Sequence, residues 1–97
     1  MKRLAIIRPR AEEDLQNAKQ WYDERREGLG TELVLAVRRA VHLLQRNPER
    51  YPIYYRDFRR ALLRRFPYKL FYRIEGDCII VFRILHTKQD HRLWLTE

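Results

Sequence analysis

The chain has 97 residues, a formal net charge of +8 at pH 7 and a pI near 10.1. That length suits one compact domain over residues 1–97, and a 45% hydrophobic fraction with six Tyr, four Phe and two Trp excludes a disordered chain. A lone Cys78 excludes an internal disulfide, and no apolar run approaches the roughly 18 residues of a membrane span, so a cytoplasmic protein without membrane attachment is expected.

Arg3 to Arg8 (RLAIIR) form a short Ile-rich run that ends at Pro9 and predicts a strand. Pro9 suits the first turn of a helix, where its missing N–H costs nothing. Glu12, Glu13 and Asp14 then complement the helix dipole. Ala11, Leu15, Ala18 and Trp21 or Tyr22 recur at helical spacing, which predicts a first helix over about residues 10–26. Gly28-Leu29-Gly30 breaks it, and Thr31 is the expected N-cap of a second helix. Leu33, Val37, Ala40 and Leu44 form that helix's apolar stripe, and Asn47-Pro48 ends it. Two helices joined so closely must lie antiparallel. His42 falls at the boundary between the stripe and the basic side.

Residues 49–57 (ERYPIYYRD) read as a loop with aromatic anchors, followed by strands over 59–66, 68–75 and 78–86. Pro67 places a bend between the first two, and Gly76-Asp77 a hairpin turn between the last two. The expected class is therefore α+β, in the order β-α-α-β-β-β. An antiparallel sheet carries the helical hairpin of the N-terminal half on one face. In the tail, Leu93, Trp94 and Leu95 are candidates for docking onto it.

Alternation places Tyr68, Leu70, Tyr72 and Ile74 on one face, and Cys78, Ile80, Phe82 and Ile84 on one face of the next strand. Pairing Ile74 with Cys78 across a three-residue loop unites the two sets against the helices. A two-residue turn would mix them. In the favoured register, Lys69, Phe71 and Arg73 share the open face with Ile79, Val81, Arg83 and Leu85. The preceding strand adds Arg59, Arg60, Arg64 and Arg65, and the charges of Arg64 and Arg65 equally suit an edge blunted against aggregation.

Cys78, His86 and His91 do not reproduce a zinc spacing, and no carboxylate pair is placed for magnesium. No glycine-rich phosphate loop or Ser/His/Asp signature is present, so neither a metal nor a cofactor is expected. The basic balance suits nucleic acid or an acidic protein.

Ala11, Asp14-Leu15, Ala18, Trp21-Tyr22, Leu29-Gly30, Asn47-Pro48, Tyr51-Pro52, Arg59, Phe66-Pro67-Tyr68, Tyr72, Ile84-Leu85-His86 and Trp94 occur in an order and spacing that resembles the ParE-like, plasmid stabilisation branch of the RelE/ParE toxins. The runs FPYKLFYRI and VFRILH are the most specific parts. The resemblance implies the same β-α-α-β-β-β fold and the toxin role of a type II toxin–antitoxin pair. It implies an acidic antitoxin, bound in a hetero-oligomer, and one of two activities: poisoning of DNA gyrase, or cleavage of mRNA on the ribosome. The antitoxin is expected on Arg73, Arg83, Lys69 and Arg64, and the target on Arg59, Arg60, Arg65 and Lys88.

As a metal-independent endoribonuclease, the chain would use His86 with Arg59 and Arg83, and Lys88 and His91 could complete the basic site. A structural role for His86 ranks ahead of a catalytic one, and the tail after it lacks a tyrosine. Non-enzymatic inhibition of gyrase is therefore the first expectation, and ribosome-dependent mRNA cleavage the second. A small basic binding module or an inactive toxin relative is the third.

Overall fold

The computed structural model describes residues 3–89. His91, Leu93, Trp94 and Leu95 thus lie outside the described residues. The elements are β1 (Leu4–Ile7), α1 (Pro9–Arg25), α2 (Leu29–Arg46), a 3-10 turn (Pro48–Arg50), β2 (Ile53–Tyr55), β3 (Phe58–Leu62), β4 (Tyr68–Glu75) and β5 (Cys78–His86). The class and the order of the main elements follow the sequence. Two details differ. Residues 53–55 form a strand where a loop was expected, and the sheet is mixed because β1 runs parallel to β5. The strand order is β1-β5-β4-β3-β2.

Proline opens α1, and the first turn carries Glu12. Ala11, Leu15 and Ala18 are its buried residues. Tyr22 packs on the core while Trp21 stays 47% exposed beneath the Arg25 guanidinium, 3.4 Å from the ring centroid. The second helix starts three residues earlier than an N-cap at Thr31 would place it, with Gly28 at the N-cap. What fixes the hairpin is a close approach at Gly30. A Cβ there would meet the Lys19 carbonyl oxygen at 2.3 Å and the Asp23 carboxyl carbon at 2.7 Å. The Asp23 carboxylate instead accepts the Gly30 N–H at 2.7 Å and the Lys19 ammonium at 2.9 Å. The Lys19 and Gly30 donors hold its carboxyl below the usual range.

The hairpin register corrects the expectation. Glu75 pairs with Cys78, so Gly76-Asp77 is a two-residue turn, with Gly76 supplying a left-handed φ of 57°. Ile79 and Val81, not Cys78, Ile80 and Phe82, then face the helices. A bulge at Phe82 resolves the mixing of faces that this turn would cause. Phe71 pairs with Arg83 and Tyr72 with Val81, which leaves Phe82 extra on β5. Beyond the bulge Ile84 returns to the helical side, together with Leu70 opposite it.

Both faces of the sheet thereby bury apolar residues. The main core joins Leu15, Leu33, Val37, Leu44, Leu70 and Tyr72. A second cluster on the opposite face joins Phe58, Phe71, Phe82 and Leu85, with Tyr54, Tyr55 and Ile80 packed on it. The Tyr72 hydroxyl donates to the Pro48 carbonyl at 2.6 Å and ties the 3-10 turn to β4.

Candidate functional site

The expected nuclease groups are not gathered. His86 pairs with Tyr68, whereas Arg59 pairs with Tyr72, four residues along β4. That separation is roughly 13 Å at the rise of a strand. The Arg59 guanidinium donates to the Tyr51 carbonyl at 2.6 Å. The His86 Nδ1 accepts the Lys88 N–H at 3.1 Å, and its ring meets Tyr68 edge-on. His86 lines a polar cleft of about 410 Å³ between α1 and the end of β5, with Asp14, Asn17, Trp21 and Tyr68. Neither Arg59 nor Arg83 lines it.

Arg83 was expected on an open face beside Arg73. It is 8% exposed and grips Asp14 of α1 in bidentate fashion, Nε to Oδ2 at 2.7 Å and Nη2 to Oδ1 at 2.8 Å. The same carboxylate accepts the Ile84 N–H at 3.0 Å. The physical reason is local. Strand β1 pairs with β5 only as far as Val81, so the outer edge of β5 beyond it turns to α1, and Asp14 caps that edge. Hydrogen bonding to Asp14 raises the Arg83 pKa against the opposing effect of burial.

The remaining expected cations are scattered. Arg73 bonds Glu75 at 2.6 Å, lies 3.7 Å from Asp57 and covers the Phe82 ring at 4.6 Å. Lys69 and Arg60 lie on the face opposite the helices, with Arg60 stacked on Tyr54 at 3.8 Å. Burial, then the nearby Arg60, lowers the Lys69 pKa. Arg65 bonds Glu32 at 2.8 Å. Lys88 is exposed near the end of the described residues.

Arg64 and Arg65 instead flank a groove on the helical side of the sheet, of about 420 Å³. Ala36, Arg39, Ala40 and Leu43 of α2 form one wall. Ala61, Leu62 and Leu63 form the other, with Arg50 and Tyr51 also lining it. Sequence reasoning passed over Ala36, Arg39, Leu43 and Arg50. The signal was a second stripe on α2, Ala36, Ala40 and Leu43, offset from the core stripe of Leu33, Val37 and Leu44. Among the described residues no group of three or more His, Cys, Asp or Glu is placed to hold a metal ion, and no helix is long and apolar enough to cross a membrane.

The family model of the ParE toxin of type II toxin–antitoxin systems, parDE, matches residues 5–91. The chain belongs to the ParE toxin family. A solved structure described as a chromosomal ParDE toxin–antitoxin system from P. aeruginosa superposes with a TM-score of 0.79 at 20% identity. The match covers 88% of this chain and 96% of that one, which establishes a shared fold. No curated protein matches this chain. Within a ParE toxin fold, Asp14 and Arg83 are thus a link between the helix and sheet layers of this chain, while the groove beside α2 is an apolar recess also lined by Arg39, Arg50, Arg64 and Arg65.

Proposed function

We propose that this ParE toxin acts in the cytoplasm by binding DNA gyrase, without chemistry of its own, and is held inactive in a hetero-oligomer with an acidic antitoxin. One observation carries the preference for binding over RNA cleavage: the base, cation and phosphate-holding groups a nuclease would need are apart and already engaged. His86 and Arg59 are four residues apart in register, and the Arg83 charge is matched by Asp14. Metal-free cleavage of RNA requires a base, an acid and a cation converging within hydrogen-bond reach of one phosphate.

Arg60 and Lys88 are the cations we retain for the target. Arg59 and Arg65, also expected there, are committed to Tyr51 and Glu32. Of the antitoxin set, Arg64 and Lys69 remain on the surface with no carboxylate partner among the described residues.

Induction of the chain alone in bacteria tests the reading. A DNA-damage response with filamentation is expected. Abrupt arrest of translation with cut mRNA, abolished by His86→Ala in a folded protein, would instead establish the nuclease.

A further inference from the structure

We infer that the sheet face away from the helices holds the phosphate backbone of the DNA on which gyrase acts, through Arg8, Arg60 and Lys69. The inference rests on the gyrase reading for the source of the DNA, while the chemistry of the contact follows from the face itself.

The first observation is placement. Arg60 stands opposite Phe71 and Lys69 opposite Leu62, so the two cations are diagonal neighbours on the face away from the helices. Such neighbours lie roughly 7–8 Å apart. Arg8 reaches the same face from the end of β1, where its guanidinium lies 4.6 Å from the Phe82 ring centroid. The strand order β1-β5-β4-β3 sets Arg8 and Arg60 three strand spacings apart. That is about 14 Å, and one strand of a duplex presents about four phosphates over the same axial length.

The second observation is missing counter-charge. Among the described residues no carboxylate pairs with Arg8, Arg60 or Lys69. Asp57 and Glu75 pair with Arg73 instead. Burial and the neighbouring Arg60 both lower the Lys69 pKa. Two like charges are thus held close together, and an anion set between them relieves the repulsion.

The third observation is the floor beneath the cations. Arg60 lies 3.8 Å from the Tyr54 ring centroid, as Arg8 lies over Phe82. A guanidinium stacked on a ring by its face keeps its N–H edge for phosphate oxygens. The floor itself is closed, since Phe58, Phe71, Phe82 and Leu85 are at most 6% exposed. Leu62 is the one large hydrophobic of β3, β4 and β5 that is well exposed. An amphipathic peptide therefore finds charge here but few apolar anchors, whereas a phosphate backbone needs charge alone. Such contacts position a strand without reading its sequence.

The test titrates the full chain into a short fluorescent DNA duplex and follows anisotropy at several salt concentrations. Each phosphate contact contributes roughly 0.9 to the slope of log K against log salt, so three contacts predict a slope of about −2.7. Arg60→Gln with Lys69→Gln should weaken binding about tenfold or more at low salt and flatten the slope by about 2. Arg8→Gln, at an exposed position, should flatten it by about 1. Arg38→Gln with Arg39→Gln removes the same charge from α2 and should leave the slope unchanged and the Kd within about twofold. Circular dichroism confirms that each variant is folded. Equal losses in the two double variants overturn the inference, because net charge alone would then account for binding. So do a wild-type chain that does not bind the duplex at low salt, polyglutamate bound as tightly as the duplex, or single-stranded RNA bound more tightly through the same residues. A gyrase cleavage assay separates the two proposals. If Arg60→Gln with Lys69→Gln stabilises cleaved gyrase–DNA complexes as well as the wild type does, this inference fails and the gyrase reading stands. If the wild type binds the duplex through these residues but leaves gyrase unperturbed, the gyrase reading fails and the contact with DNA stands.

Discussion

Replacing Asp14 by Ala tests the link between the helix layer and the sheet. The Asp14 and Arg83 side chains are only 13% and 10% exposed. The change removes a bidentate partner at 2.7 and 2.8 Å and strips the acceptor from the Ile84 N–H. Removing one partner of a buried pair costs about 3–5 kcal/mol, because a charge is left behind in a site built for its opposite. A domain of this size has about 5–15 kcal/mol in total, so the loss is a large share of it. In urea, with a slope of about 2 kcal/mol per molar, the midpoint should fall by about 2 M. Tryptophan fluorescence follows the transition, since Trp21 sits on α1. Replacing both partners by apolar residues, Asp14→Leu with Arg83→Met, should recover most of the loss, because no charge is then stranded. A midpoint shift under about 0.5 M for Asp14→Ala, or a double variant as weak as the single one, would show that the pair carries little and that Arg83 is available for a partner.

Gly30→Ala should destabilise the chain by about 1–3 kcal/mol in the same titration, as overpacking against the Lys19 carbonyl outweighs the better helix propensity of Ala; a stabilised variant would mean the helices separate freely. Phe82→Ala should cost about 3–5 kcal/mol although Phe82 lies on the face away from the helices, because it anchors the second cluster at the bulge and Arg8 and Arg73 stack on its ring. Burial pushes the Tyr72 phenol up to about 12 from 10.0, so its contribution is fully present below pH 10 and is lost as pH rises from about 10 to 12. Thermal melting should therefore fall off in that window, and less steeply in Tyr72→Phe; an unaltered slope would locate the alkaline transition at other groups.

The helices, their close link and the order of the strands were legible because they rest on local periodicity and on Pro and Gly signals. Pro9 and Asn47-Pro48 mark helix ends within a residue. The face of β5 was not legible. Strict alternation from Cys78 is correct only at Ile84, because the bulge at Phe82 shifts the phase by one within a strand whose residues 81–85 are all buried. A run of apolar residues buried on both faces carries no period to read. The short strand β2 escaped because three residues carry too little alternation, and its Tyr54 and Tyr55 serve the second cluster as anchors. The Arg83 role was hidden for another reason. Asp14 lies 69 residues away, and only the parallel placement of β1 beside β5 brings α1 over the end of that strand. The groove residues of α2 were present in the sequence as a stripe, but its meaning depends on where β3 stops being covered.

The most direct test of binding without chemistry combines the purified chain with DNA gyrase, supercoiled plasmid and ATP, and in parallel with ribosomes translating a defined mRNA. The account predicts accumulation of gyrase-linked cleaved DNA in the first reaction and intact mRNA in the second. Unperturbed gyrase together with mRNA cut during translation would contradict it.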